Sequence, residues 1–244
     1  MLIQKNKMAN EYFKFKQFTI FHDRCAMKVG TDGVLLGAWA EGGTRILDVG
    51  AGTGLISLMA AQRFTSAVID AVEIDADAVS QAIDNVNNSD FRERISVLHY
   101  SLSDFVERCK HEGTSYDCII SNPPFYTEDT ECPENKRNAA RHTDSLPYSV
   151  LFRCVSAILS EGGVFSVIVP YSSKDKITFE ACLSGLFVKD ICCIKTTPRK
   201  PIKRIMMSFS NVRPENTKNE EKCLMNQYGS KSDWFKQLTE DFYL

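Results

Sequence analysis

Short apolar runs alternate with helix-like segments through the middle of the chain. Apolar runs at 45–49, 67–74, 94–100, 116–121 and 164–169 predict five strands. Helical patterns at 55–64, 77–87 and 146–159 fall between them. The runs are continuously apolar instead of alternating, which is typical of strands buried on both faces. This order predicts right-handed crossovers and a mostly parallel sheet covered by helices on both faces.

The last sixty residues follow another pattern. Segments 187–195 and 205–210 resemble strands, and a basic, proline-containing stretch joins them. They predict a closing hairpin at the edge of the sheet, with one antiparallel strand. Residues 214–231 are polar and predict a loop, and the aromatic-rich end predicts a short docked helix. We expect one domain over 1–244, with an N-terminal extension (1–40) over a ligand site, a core (41–212) and a tail (213–244).

Composition narrows the choice of protein class. The chain has 244 residues, 25% of them charged, and a formal net charge of -2, so overall charge does not indicate a polyanion partner. No run of 18 apolar residues and no secretory signal is present, which predicts a cytoplasmic protein without a membrane partner. Nine cysteines occur without a CxxC pair. We therefore expect free thiols and no metal site.

A glycine-rich turn follows the first core strand. Asp48 is followed by Gly50, Ala51, Gly52 and Gly54 in the sequence DVGAGTG. Glycines allow the backbone to turn tightly and approach a ligand at the carboxyl end of a strand. The spacing differs from the GxGxxG of dinucleotide-binding proteins and lacks the lysine of a P-loop. A turn without a ligand is the alternative interpretation.

An acidic residue, Glu73, ends the second core strand about 20 residues later, where a carboxylate can accept both hydroxyls of a ribose. The alternative is a solvated charge at the end of a strand. Together, DxGxGxG and this acid resemble the S-adenosylmethionine site of class I methyltransferases. The resemblance implies a Rossmann-like sheet of seven strands, S-adenosyl-L-methionine as cofactor and S-adenosyl-L-homocysteine as product.

Roles for individual residues follow from that resemblance. Asp48 and Gly50 are expected at the methionine end of the cofactor, Glu73 at its ribose and Ile74 against its adenine. Where such enzymes usually have an aspartate after the third strand, this chain has Ser101 and Leu102. A serine hydroxyl can accept one hydrogen bond. Whether Ser101 or Asp104 contacts the adenine remains open.

The fourth core strand runs into Asn122-Pro123-Pro124-Phe125. Prolines lack an N–H and hold the chain extended, so the Pro123 carbonyl is available as an acceptor. The Asn122 side chain supplies a second acceptor, and Phe125 supplies a ring for stacking. Two acceptors that hold both hydrogens of a planar amine would stabilise the charge that develops when the amine is alkylated. The motif resembles the (N/D)PP(F/Y/W) motif of amino-methyltransferases.

Further segments sharpen the resemblance. FKQF at 15–18, CAMKVGTDGVLLGAW at 25–39, NAARH at 138–142 and LSEGG at 159–163 are similar to the bacterial tRNA1(Val) adenine-37 N6-methyltransferase family. The likeness extends from about residue 13 to residue 210. It implies methylation of N6 of an adenine in tRNA, and it maps Lys28, Thr31 and Asp32 onto a segment that closes over the cofactor. A monomer is favoured, although the oligomeric state stays open.

The tRNA partner has modest support from charge. Three basic clusters are candidates for phosphate binding. The alternative interpretation of each cluster is a set of solvated surface side chains with no bound phosphate. The clusters are Lys5, Lys7, Lys14 and Lys16; Lys136, Arg137 and Arg141; and Lys195, Arg199, Lys200, Lys203 and Arg204. Competing hypotheses are methylation of a guanine N2 in rRNA or of a protein glutamine, a binding module without turnover, and a nicotinamide dehydrogenase.

Overall fold

The computed structural model describes residues 11–25, 28–124 and 146–244. In order, these residues form strands β1 (Tyr12–Lys14) and β2 (Thr19–Phe21), helix α1 (Thr31–Trp39), β3 (Arg45–Val49), α2 (Leu55–Arg63), β4 (Val68–Glu73), α3 (Ala76–Asn87), β5 (Ile95–His99), α4 (Leu102–Glu112), β6 (Tyr116–Ser121), α5 (Tyr148–Ile158), β7 (Leu159–Pro170), α6 (Lys174–Leu183), β8 (Phe187–Lys195), β9 (Ile202–Ser210), β10 (Lys218–Cys223) and α7 (Asp233–Thr239).

The main sheet has eight strands in the order β10-β8-β9-β7-β6-β3-β4-β5. β9 is antiparallel to both of its neighbours, and the other pairings are parallel. The expectation of a mostly parallel sheet with one reversed strand is confirmed, and β1 and β2 form a separate small hairpin. Because parallel strands end at one edge, the turns after β3, β4, β5 and β6 meet there.

The predicted number of seven strands is wrong, and so is the loop expected over 214–231. β10 lies in that segment and pairs with β8 at the edge of the sheet. Its sequence, KNEEKC, carries no apolar period because an edge strand gains backbone hydrogen bonds without burying many side chains. Charges link the two strands instead, with Lys195 Nζ 2.7 Å from Glu221 Oε1.

The predicted hairpin also lies elsewhere than expected. β8 and β9 form it, but β9 sits between β7 and β8, so the hairpin is inside the sheet and β10 occupies the edge. Segment 146–159 is helical only to Ile158, and β7 begins at Leu159. The expected C-terminal helix is present as α7, which buries Phe235. Three helices that the apolar pattern did not predict are also present, and they are α1, α4 and α6.

Two apolar cores cover the two faces of the sheet. Alternate residues of each strand enter opposite cores, as Ile46 and Leu47 of β3 do. One core contains α1, α2 and α7, and the other contains α4, α5 and α6. Helices α1 and α2 approach closely at Gly37, where an added Cβ would lie 2.7 Å from Met59 Sδ. No helix in the described part of the chain has the length and apolarity to cross a membrane.

Candidate functional site

A cavity of about 890 Å³ opens at the carboxyl edge of the sheet. It collects residues from the turns after β3, β4, β5 and β6, together with the start of α1. Most of the residues predicted for the site line it. They are Lys28, Thr31, Gly50, Ala51, Gly52, Glu73, Ile74, Ser101, Leu102, Asn122, Pro123 and Pro124. Asp48 and Gly54 are predicted residues that do not line the cavity, and Phe125 lies outside the described residues.

The glycine-rich turn forms the floor of the cavity. Gly50, Gly52 and Gly54 have φ values of 70°, 54° and 79°, a left-handed conformation that side chains disfavour. The Gly52 N–H donates to Glu73 Oε2 over 2.8 Å, and the other Glu73 oxygen accepts the N–H groups of Ile74 and Asp75. Glu73 thus fixes the turn to the end of β4. Oε2 keeps a second lone pair that can accept a ligand hydroxyl, whereas Oε1 already accepts two N–H groups.

Asp48 lies buried beneath this turn. Its Oδ2 accepts a 2.6 Å hydrogen bond from Ser57 Oγ of α2, whereas no partner for its buried Oδ1 occurs within the described residues. Burial raises the pKa of Asp48 to about 7, although the hydrogen bond from Ser57 opposes the change. A cation bound above the turn would stabilise the charged carboxylate. Ser57 was not predicted, since its contact joins a strand to the following helix.

The wall of the cavity beside β4 and β5 is apolar. Ile74 is 44% exposed there, and Tyr100 and Leu102 lie alongside. A large apolar side chain at such a rim offers a surface to a flat ring. Ser101 caps α4, accepting the Asp104 N–H and donating its hydroxyl to Asp104 Oδ2 over 2.6 Å. Ser101 lines the cavity and the exposed Asp104 does not, and Tyr100 is a lining residue that the sequence did not predict.

Asn122 follows β6 directly and brings an amide to the cavity. Its Oδ1 is buried and has no hydrogen-bond partner among the described residues. Such an atom is costly unless a bound group donates to it. Pro123 is buried, Pro124 is exposed, and Ser121 Oγ ties β6 to β3 by donating to the Val49 carbonyl over 3.0 Å. The end of β6 is thus held against β3, and it presents an acceptor that has no donor among the described residues.

An ion pair that the sequence did not predict lies at the rim of the cavity. Asp32 Oδ2, at the start of α1, lies 2.7 Å from Arg204 Nε of β9. The two side chains are each about a quarter exposed, and both residues line the cavity. This contact joins the N-terminal segment to the opposite side of the site. Because 172 positions separate the two residues in the chain, no local spacing could have indicated it.

The N-terminal hairpin is attached to the site by a buried amide that sequence analysis also missed. Asn85 Nδ2 of α3 donates to the carbonyls of Phe21 and Thr53 over 2.9 Å each, and its Oδ1 accepts the Phe21 N–H. One side chain therefore links β2 to the glycine-rich turn. The signal available in the sequence was a polar residue on the apolar face of a predicted helix.

Taken together, the site has four chemical features. They are a glycine turn over a buried acid, a carboxylate that can accept a hydroxyl, an apolar wall and an acceptor oxygen that has no donor among the described residues. In the parts of the chain that are described, no group of three or more His, Cys, Asp or Glu side chains is placed to hold a metal ion. These features suit a ligand that combines a cation, a ribose and a flat ring, next to a planar amine.

Known proteins resemble this chain over nearly its whole length. Residues 28–142 match the family model described as "Methyltransferase small domain". A protein of Bacteroides fragilis named tRNA1(Val) (adenine(37)-N6)-methyltransferase is 44% identical over 241 residues, covering 97% of this chain and 99% of the relative. A protein of the same name from Christiangramia forsetii is also 44% identical, with the same coverage of both chains.

Solved structures support the fold independently. A predicted O-methyltransferase from Agrobacterium tumefaciens superimposes with a TM-score of 0.66 at 21% identity, covering 86% of this chain and 96% of the other. TrmN from Thermus thermophilus gives a TM-score of 0.51 at 18% identity, covering 73% of this chain and 47% of the other. At these identities the likeness concerns the fold, which is that of class I methyltransferases. With its relatives matched end to end, the chain belongs to the tRNA1(Val) (adenine(37)-N6)-methyltransferase family.

Proposed function

We propose that this protein transfers a methyl group from S-adenosylmethionine to N6 of adenine 37 in tRNA1(Val). The observation that carries the proposal is the buried Asn122 Oδ1, which has no partner among the described residues, in a chain 44% identical to proteins named for this reaction. The proposed macromolecular partner of this protein is therefore tRNA, and the proposed compartment is the cytoplasm, where tRNA is abundant.

The residues of the cavity fit the cofactor. Glu73 Oε2 can accept a ribose hydroxyl, the exposed face of Ile74 can pack on the adenine, and Leu102 can close the other side of that pocket. Asp48 lies under the turn where the ammonium group would sit, and a positive charge there would favour its ionised form. When bound, S-adenosylmethionine supplies an electrophilic methyl group on a sulfonium centre.

The remaining task of the protein is to hold the amine. Asn122 Oδ1 accepts one N6 hydrogen, and the Pro123 carbonyl is proposed as acceptor for the second, as the motif predicts. Together they orient the nitrogen towards the methyl group and stabilise the positive charge that grows on it. The alkylated nitrogen is acidic enough to lose a proton to water without a strong base. Phe125, which lies outside the described residues, remains the proposed stacking partner of the base.

Mass spectrometry of nucleosides tests the proposal. Purified protein is incubated with labelled S-adenosylmethionine and an unmodified tRNA1(Val) transcript, with a transcript carrying guanine at position 37 as the matched control. We expect labelled N6-methyladenosine in the first RNA and none in the second. Ribosomal RNA and total protein are assayed in parallel. Label in guanine N2 or in glutamine instead would assign the site to one of the competing substrates.

A further inference from the structure

Internal ion pairs neutralise many basic side chains of the described residues. An ammonium or guanidinium paired with a carboxylate attracts a phosphate less strongly, because the nearby negative charge offsets its own. The paired residues lie on helices and strands all around the molecule. They are Arg24, Arg45, Arg92, Arg108, Lys110, Lys189, Lys195, Arg204, Lys218, Lys222 and Lys236.

The turn between β8 and β9 differs. It spans residues 196–201, and we use the name β8–β9 turn for these residues together with Lys203. Arg199, Lys200 and Lys203 are exposed, and none of them forms an ion pair with any described residue. The sequence TTPRKPIK contains no acidic residue that could compete for them. Three exposed cations with no ion-pair partner in the described part of the chain therefore lie within five positions.

The position of the β8–β9 turn links this charge to the reaction site. Thr196 and Lys203 both line the large cavity. β8 ends and β9 begins at the carboxyl edge of the sheet, so the turn stands beside the glycine-rich turn and Asn122. A base that enters the cavity must bring its own phosphate, and the phosphates of its neighbours, past this rim.

The β8–β9 turn is also held in place before any ligand arrives. Lys195 pairs with Glu221 of β10 on one side of its base, and Arg204 pairs with Asp32 of α1 on the other. Pro198 and Pro201 each fix a backbone φ angle within it. Because little conformational freedom is lost on binding, phosphate contacts made from such a turn retain most of their free energy.

Resting on the function proposed above, we propose that the β8–β9 turn is the phosphate-binding arm for the tRNA substrate. Lys203, at the rim, contacts the phosphate next to the everted adenosine. Arg199 and Lys200, at the tip, contact phosphates further along the anticodon arm. Such contacts release counterions, so they give affinity that falls with salt and does not depend on base sequence.

Equilibrium binding of tRNA at several salt concentrations tests this assignment. The variant Arg199→Gln/Lys200→Gln/Lys203→Gln is compared with Arg92→Gln/Lys110→Gln/Lys236→Gln, which removes the same charge from three exposed, ion-paired residues elsewhere. We expect the first variant to bind tRNA on the order of tenfold more weakly at low salt, and its log–log salt slope to fall by about 2 to 3. The second should keep the slope of the unaltered protein.

The other outcomes separate the two proposals. An unchanged salt slope in the turn variant, or an equal loss in both variants, overturns the phosphate-binding arm even when the unaltered protein methylates tRNA. A protein that binds tRNA through this turn but transfers no methyl group would contradict the proposed function alone. Calorimetry with S-adenosylhomocysteine checks that the variant is folded. Were it not, Arg199→Gln and Lys200→Gln singly are each expected to lower the slope by about one.

Discussion

Asn122 carries an amide whose Oδ1 is buried at the cavity without a hydrogen-bond partner among the described residues. Two prolines follow it directly and restrict the backbone on its carboxyl side. An amide oxygen held in this position is already oriented to accept a hydrogen bond from a ligand. Such a bond stabilises the transition state most when positive charge grows on the donor during the reaction.

Replacing this amide should slow the reaction more than it weakens cofactor binding. For Asn122→Ala we expect kcat to fall by about 10²–10³, the loss typical for removal of one such contact. The affinity for S-adenosylhomocysteine, measured by calorimetry, should change much less. Asn122→Asp keeps an acceptor oxygen and should retain more activity. A kcat within about threefold of the unaltered protein in Asn122→Ala would remove the catalytic role of this residue.

The buried acid Asp48 should make folding depend on pH in an unusual direction. Its pKa is about 7 in the folded protein and about 3.9 when unfolded, so the folded state binds the proton more tightly. The contribution of Asp48 to the free energy of unfolding is therefore fully present below about pH 4 and is lost as pH rises to about 7.

Urea denaturation of the ligand-free protein between pH 4 and pH 8 tests that direction. The stability of Asp48→Asn relative to the unaltered protein should increase as pH rises, by an amount on the order of a few kcal/mol, and then level off above pH 7. The exposed Asp90→Asn serves as control and should follow the unaltered protein. A difference between Asp48→Asn and the unaltered protein that does not vary with pH would contradict the raised pKa.

Among the strands of the main sheet, those buried on both faces were the easiest to predict from the sequence. β3 and β6 were predicted at their observed bounds because largely apolar runs mark strands that are covered on both faces. β10 was missed because an edge strand is specified by backbone pairing, which leaves little trace in composition. α1 was missed because six of its residues are buried, so no polar face gives it a helical period.

The attachment of the N-terminal hairpin to α3 should depend on one residue. Asn85→Ala leaves the carbonyls of Phe21 and Thr53 and the Phe21 N–H without their partner. Each buried group left unsatisfied costs about 1–3 kcal/mol, so we expect a clear loss of unfolding free energy. Hydrogen exchange should accelerate at Phe21 in particular. Asn87→Ala, an exposed substitution on the same helix, should change neither measurement; equal effects of the two would refute the assignment.

At the scale of the whole molecule, the eight cysteines in the described residues are free. Five are buried, and burial raises the pKa of Cys118 and of Cys192 to about 12, so these thiols stay protonated and unreactive at neutral pH. Thiol labelling of the native protein, mapped by mass spectrometry, should modify the exposed Cys182 before Cys118 and Cys192. Cys182→Ser should remove that fast site, and labelling of Cys118 at a similar rate would contradict the buried position.

The site as a whole was predictable where its residues are neighbours in sequence. The glycine-rich turn, Glu73 with Ile74, and the segment after β6 each lie next to a recognisable strand end, and the parallel sheet brings strand ends together. The Asp32–Arg204 pair depends on the path of the whole chain, and so could not be predicted. Lys203 was predicted as part of a basic cluster, but its place at the cavity follows from the position of β9.

The antiparallel direction of β9 places at the cavity a turn that can vary in evolution. If β9 were parallel to β8, the connection between them would have to cross to the amino edge of the sheet, away from the cavity. Because β9 is antiparallel, the β8–β9 turn is short, exposed and at the cavity edge of the sheet, and paired strands hold both of its ends. Its length and charge can vary while the turns that line the cavity stay as they are, so tRNA binding can diverge here without a separate RNA-binding module.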